Sequence, residues 1–159
     1  MDKMLTDGDR APEFDLEAVD GKRYALNDRL TLAIFFKTDC PTCQYAWPFF
    51  ERLHAAYSKA GLQIWGISQH DRNLTRQFGK EYGSHIPLLL DTERRVTAGY
   101  RPDFVPTGFL IAGRTVRATF ESWNKLRFIE LGQQVATSLQ VAAKPLVRQG
   151  EQVAEFRPG

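Results

Sequence analysis

Residues 32–36 (Leu-Ala-Ile-Phe-Phe) form an apolar run that stops at Lys37-Thr38-Asp39 and is followed by Cys40-Pro41-Thr42-Cys43. A short run without polar alternation predicts a strand covered on both faces, as in a parallel sheet, although periodicity alone also admits a buried helical turn. Beyond the tetrad, Ala46, Phe50, Leu53 and Tyr57 recur at helical spacing. They predict a helix from near Thr42 to about Ala60, stopped by Gly61 and kinked by Pro48. Residues 63–68 (Gln-Ile-Trp-Gly-Ile-Ser) then read as a second strand. Strand, helix and strand in this order make a right-handed parallel unit, so the fold class is α/β.

The flanking segments have weaker signals. Phe14 and Leu16, the turn pair Asp20-Gly21 and residues 22–26 predict a short antiparallel ribbon. Asn73 is expected to cap a helix reaching Lys80 or Tyr82. Residues 86–90 are apolar but contain Pro87, which predicts an edge strand or one beginning at Leu88. Thr92 is expected to cap a short helix with Val96 and Tyr100. A loop with two prolines, residues 101–107, leads to strands at 108–112 and 116–120 that pair as a hairpin around Gly113. Ser122 is expected to cap the last helix, about 124–140, with Phe128, Leu131, Val135 and Leu139 inward. Residues 141–159 read as a tail with at most one weak strand. At 159 residues the chain fits a single domain, 1–159, with its core at about 8–140.

Composition removes several functions. Twenty-one basic and nineteen acidic side chains, with no run of one sign, give no reason to expect nucleic acid or an anionic membrane surface. No stretch approaches the ~20 apolar residues of a membrane span. The polar start, residues 1–9, lacks the apolar region of a secretory signal, so membrane tethering is expected only if a further N-terminal segment precedes it.

The chain's two cysteines are Cys40 and Cys43. Two are too few for a four-cysteine zinc site, and their spacing is too short for a structural disulfide framework. At the start of a helix, however, cysteines at i and i+3 can reach disulfide geometry. The first lies where free N–H groups and the helix dipole favour thiolate, and the second is shielded one turn further in. Cys40 is therefore the expected nucleophile and Cys43 the resolving thiol of a redox-active pair. Pro41 suits the first turn, where its missing N–H has no intrahelical partner. The alternative is two small buried hydrophobes that never oxidise.

The strand–CPTC–helix element resembles the thioredoxin fold. With Gly8-Asp9-Arg10-Ala11-Pro12-Glu13-Phe14, Gly66-Ile67-Ser68, Ile86-Pro87-Leu88-Leu89-Leu90-Asp91 and Val105-Pro106-Thr107, it is similar to the TlpA/ResA-type thiol:disulfide oxidoreductases. These fall within the AhpC/TSA–Redoxin grouping, which also holds peroxiredoxins. The resemblance spans about residues 8–140. It implies a thioredoxin-like fold, with a central mixed β-sheet flanked by helices and an N-terminal β-ribbon extension. It also implies partner protein thiols or disulfides, a further redox partner, no cofactor or metal, a monomer, and a periplasmic or other extracytoplasmic site. By position, Pro106 matches the family's cis-proline facing the disulfide, and Val105 would offer its backbone to a substrate chain. Pro48 matches a structural kink proline.

Three positions depart from that pattern. Asp39 replaces the tryptophan usual before the first cysteine, and its carboxylate should oppose the Cys40 thiolate and raise its pKa. Ile34 and Ala46 occupy the two places where such proteins keep a buried carboxylate, leaving Asp39 or water to take the Cys43 proton. A peroxiredoxin-like thiol peroxidase is a competing reading, but Ala33 and Lys37 stand where that chemistry uses proline and a hydroxyl. A Sco-like copper-binding protein is another, although it needs wider cysteine spacing and a histidine ligand, for which His85 is the nearest candidate. His70 follows the strand beside the CPTC strand, at its carboxyl end, a place near the site, although a solvated loop histidine is the commoner reading; His54 is too far along the helix to act. Tyr45, Trp47, Phe49 and Phe50 are expected mainly in the core.

Overall fold

The computed structural model describes residues 3–159; Met1 and Asp2, part of the polar start, lie outside the described residues. In chain order the elements are β1 (Asp15–Glu17), β2 (Arg23–Ala25), β3 (Thr31–Phe36), α1 (Pro41–Tyr57), β4 (Gln63–Ser68) and α2 (Arg72–Glu81). Then follow β5 (Leu88–Leu90), α3 (Arg95–Tyr100), β6 (Thr107–Ala112), β7 (Thr115–Glu121), β8 (Trp123–Asn124), α4 (Lys125–Leu139) and β9 (Phe156–Arg157).

The run that dominates the sequence, β3, is buried at every residue because it is the middle strand of a five-stranded mixed sheet ordered β5-β4-β3-β6-β7. It pairs in parallel with β4 and antiparallel with β6. Strand alternation sorts its side chains. Leu32, Ile34 and Phe36 join α1 and α4 through Trp47, Phe50, Leu53, Tyr57, Phe128 and Leu131. Ala33 and Phe35 face the opposite cluster, with Phe14, Trp65, Tyr100 and Phe109. The N-terminal ribbon is β1 paired with β2. The α1 aromatics go to the core as expected: Trp47, Phe49 and Phe50 are buried, while Tyr45 is half-buried.

Several boundaries move for identifiable reasons. The helix α1 begins at Pro41, with Cys40 as its N-cap, and ends at Tyr57; a turn then leads to Gly61 at φ +121°. Asp71, rather than Asn73, caps α2, its carboxylate accepting from the Leu74 N–H at 2.9 Å. Thr92 does not cap α3: Arg94 holds the N-cap position without a side-chain cap, and buried Asp91 accepts from the first-turn N–H groups of Val96 and Thr97 instead. Asn124, not Ser122, caps α4, accepting from the Arg127 N–H at 3.0 Å. Ser122 instead adopts φ +59° and donates its N–H to the Pro106 carbonyl. The strand β5 begins at Leu88 and lies at a sheet edge, so Pro87 interrupts no ladder.

Candidate active site

The carboxyl end of β3 carries the chain through Lys37-Thr38-Asp39 to the first turn of α1. At the N-cap, the Cys40 sulfur accepts the Cys43 backbone N–H at 3.1 Å. This is the ordinary capping arrangement with sulfur in place of oxygen: one of the helix's free donors is satisfied by a side chain that can carry negative charge. The Cys40 thiol also faces the Val105 carbonyl oxygen at 3.5 Å, where the chain leaving β3 meets the loop entering β6. The Val105–Pro106 bond is cis. Both cysteines are free thiols; Cys40 is half-buried and Cys43 is wholly buried among apolar residues of the α1 side of the sheet.

Their environments drive their acidities apart. Cys40 is pulled down from the ordinary thiol range to about 6, first by a hydrogen bond from the Cys43 side chain and then by the N–H groups of Cys43 and Thr42. Burial opposes this, and so does the charge of Asp39, the smallest contribution. The expected penalty from Asp39 is therefore present but outweighed; its side chain is 79% exposed, where solvent screens the charge. Cys43 is pushed up, mainly by burial and then by its hydrogen bond to Cys40.

The surrounding polar residues hold the 37–39 loop. His70 is not a freely solvated loop side chain: it is only 21% exposed and lies against this loop. Its Nδ1 accepts the Thr38 N–H at 3.3 Å and lies 2.6 Å from the Thr38 hydroxyl. A backbone N–H can only donate, so Nδ1 accepts in that contact, and Nε2 lies 3.9 Å from the Asp39 carboxylate. Gln44 closes the loop from α1, donating to the Thr38 carbonyl at 2.9 Å. The position of His70 at the carboxyl end of β4, next to β3, was the available signal for this placement.

Ile34 and Ala46 are fully buried and apolar, so neither strand nor helix supplies a carboxylate behind Cys43. Glu51 spans another part of α1, where it accepts from Trp47, Ser84 and the N–H of His85. His85 is 84% exposed and pairs with that carboxylate. Among the described residues no group of three or more His, Cys, Asp or Glu is arranged to hold a metal ion. None of their helices is long and apolar enough to cross a membrane.

One neighbour of the site carries no sequence signal. The Thr42 hydroxyl, between the two cysteines, donates to the Pro158 carbonyl, and Gly159 lies against the Val105 carbonyl.

Comparison with known proteins fits this arrangement. The AhpC/TSA family model matches residues 8–121. The thiol-disulfide oxidoreductase ResA of Bacillus subtilis is 31% identical over 111 residues, which cover 67% of this chain and 62% of that protein. The chain thus spans less than two thirds of the length of the curated relatives it matches. A Chlorobium tepidum structure described as a candidate thiol:disulfide interchange protein DsbE superposes with TM-score 0.78 at 21% identity, covering 85% of this chain and 99% of that one. The peroxidoxin BcpB of Mycobacterium tuberculosis has the same fold, with TM-score 0.70 at 19% identity and coverage of 87% and 97%. The fold is thioredoxin-like, with an N-terminal ribbon added.

Proposed function

Because the chain belongs to the AhpC/TSA family, with ResA among its relatives, we propose that it is a thiol:disulfide oxidoreductase acting on protein thiols and disulfides through Cys40 and Cys43. One observation carries this reading: a thiol of lowered pKa caps α1 beside the Val105 carbonyl, with a buried second thiol one turn behind it.

In the reducing direction, the Cys40 thiolate attacks one sulfur of a partner disulfide. A Cys40–partner bond forms, the partner S–S bond breaks, and the partner's other sulfur leaves as thiolate. Forming that mixed disulfide removes the negative charge and the hydrogen-bond acceptor at Cys40, two of the causes that keep Cys43 protonated. Cys43 then loses its proton to the departing thiolate or to water and attacks the Cys40 sulfur. The Cys40–Cys43 disulfide closes, and the partner leaves with both sulfurs reduced and two electrons gained. The reverse sequence oxidises a partner dithiol. Val105 supplies backbone for an incoming chain next to the sulfur, and Pro106 shapes that loop. The same reading implies a second redox partner that resets the pair and a monomeric protein working outside the cytoplasm.

The test uses single variants and a disulfide-bonded protein such as insulin. Cys40→Ser abolishes its reduction, whereas Cys43→Ser accumulates a mixed disulfide at Cys40. If Cys43→Ser instead turns over peroxide with an external thiol, the reaction is a peroxidase's and the reading fails.

A further inference from the structure

Residues 141–159 follow the family-matched region and are tied down along their length. Lys144 donates its N–H to the Tyr57 hydroxyl at 2.8 Å. Leu146 is 7% exposed and packs on Gly132 of α4. Arg52 of α1 grips Glu151 with two hydrogen bonds of 2.8 and 2.6 Å and holds that carboxyl at about 2. Ala154 is held at both backbone groups, accepting from the Trp123 indole N–H at 2.7 Å and donating to the Tyr45 hydroxyl at 2.9 Å. These contacts aim the last residues at the active-site face.

There β9 pairs with β8 through only two residue pairs, Trp123 with Arg157 and Asn124 with Phe156. The Arg157 guanidinium lies over the Tyr45 ring at 4.6 Å. Next, Pro158 accepts the Thr42 hydroxyl, and Gly159 donates its N–H to the Ser122 hydroxyl at 3.0 Å. Gly159 approaches Val105 so closely that a β-carbon there would overlap the Val105 carbonyl oxygen. Thr42, in the exposed first turn of an active-site helix, is consequently only 6% exposed. The Val105 carbonyl that Gly159 covers is also the one facing the Cys40 thiol.

We propose that residues 156–159 determine substrate specificity by covering the flank of Val105 that an incoming polypeptide would use. An extended chain docks by pairing its backbone with an available strand or loop edge, and here that edge already has an occupant from the same molecule. A small disulfide reaches Cys40 past the cover, whereas a protein disulfide must displace it. The cover can be displaced because its last four residues rest on a two-pair ladder, the Arg157–Tyr45 contact and single hydrogen bonds, while the stronger anchors lie upstream at 144–154. The proposal rests on the oxidoreductase reading for its biological meaning, but the cover is a physical contact that can be tested without disulfide exchange.

The experiment compares the full chain, a chain ending at Glu155, and the full-length Gly159→Val variant, whose side chain cannot fit against Val105. In each reduced protein Cys40 is alkylated with iodoacetamide and, separately, with a maleimide carried on a polyethylene glycol polymer; Cys43 is wholly buried. If the covered form holds about nine-tenths of the molecules, removing it raises the polymer reagent's rate about tenfold, because reactivity scales with the competent fraction. The iodoacetamide rate changes less than about twofold, and insulin-disulfide reduction rises with the polymer rate. Equal polymer rates in all three proteins, or equal gains for both reagents, overturn the proposal. Failure of all three proteins to reduce insulin would overturn the oxidoreductase reading instead, with the alkylation pattern still deciding the cover.

Discussion

At the rim of the site Cys40 meets two backbone N–H groups, a neighbouring thiol and an exposed carboxylate; on the floor, one helical turn further along α1, Cys43 lies in a dry apolar cluster. The same side chain is thereby made acidic in one place and reluctant to ionise in the other. The contrast shows that position relative to the helix N-terminus, and not the residue type, divides the two acidities. It also shows why the misplaced-looking charge of Asp39 is tolerated. A screened surface carboxylate competes with short-range hydrogen bonds that already hold the thiolate.

The largest expected break in this contrast is loss of the rim thiol. Cys40→Ser should leave no measurable exchange, whereas Cys43→Ser should retain the first bond-forming step and stop there, as read by non-reducing mass analysis. Next is a charge placed on the floor. Ala46→Glu puts a carboxylate at a position of 0% exposure, and should cost about 3–5 kcal/mol in chemical denaturation because the buried charge has no partner. Tolerance of that charge would mean the floor is wetter than the contrast requires.

A smaller effect is the pH dependence of stability in the reduced protein. The folded pKa of Cys40, about 6, lies below the ordinary value of 9.0. Its stabilising contribution is therefore complete above about 9, shrinks as pH falls, and is gone below about 6. The stability difference between wild type and Cys40→Ala should narrow over that window; a difference that widens on acidification would contradict the assignment. The smallest effect belongs to Asp39→Asn, which should move the Cys40 midpoint downward. An unmoved midpoint would show that solvent screens the carboxylate completely.

The placement of the two cysteines at the start of a helix is legible in the sequence because it depends on local patterns. An apolar run of strand length, a CxxC tetrad and a helical stripe together place Cys40 at an N-cap and Cys43 inside. Val105-Pro106 was legible only through family resemblance, since nothing local brings a loop 65 residues away to within 3.5 Å of Cys40. Caps are ambiguous in the sequence where two polar residues compete. Asp71 and Asn73 both suit α2, and only the fold shows that Asp71 aligns with the Leu74 N–H. Ser122 looked like a helix cap because its hydroxyl and its place before α4 are right, yet that hydroxyl serves Gly159. The tail's single weak strand is legible and matches β9, but its attachment to the core is not. The tail is held by scattered polar contacts, such as Arg52 with Glu151 and Trp123 with Ala154, which leave no periodic trace.

The central claim, a reactive rim thiol over an unreactive floor thiol, is tested most directly by following thiolate absorbance against pH in the reduced protein, with Cys40→Ser as the reference. The account predicts one thiolate forming with a midpoint of about 6, absent from Cys40→Ser, and no second thiolate until well above the ordinary thiol value of 9.0. A first midpoint at or above 9.0, or a low midpoint that persists in Cys40→Ser, would contradict it.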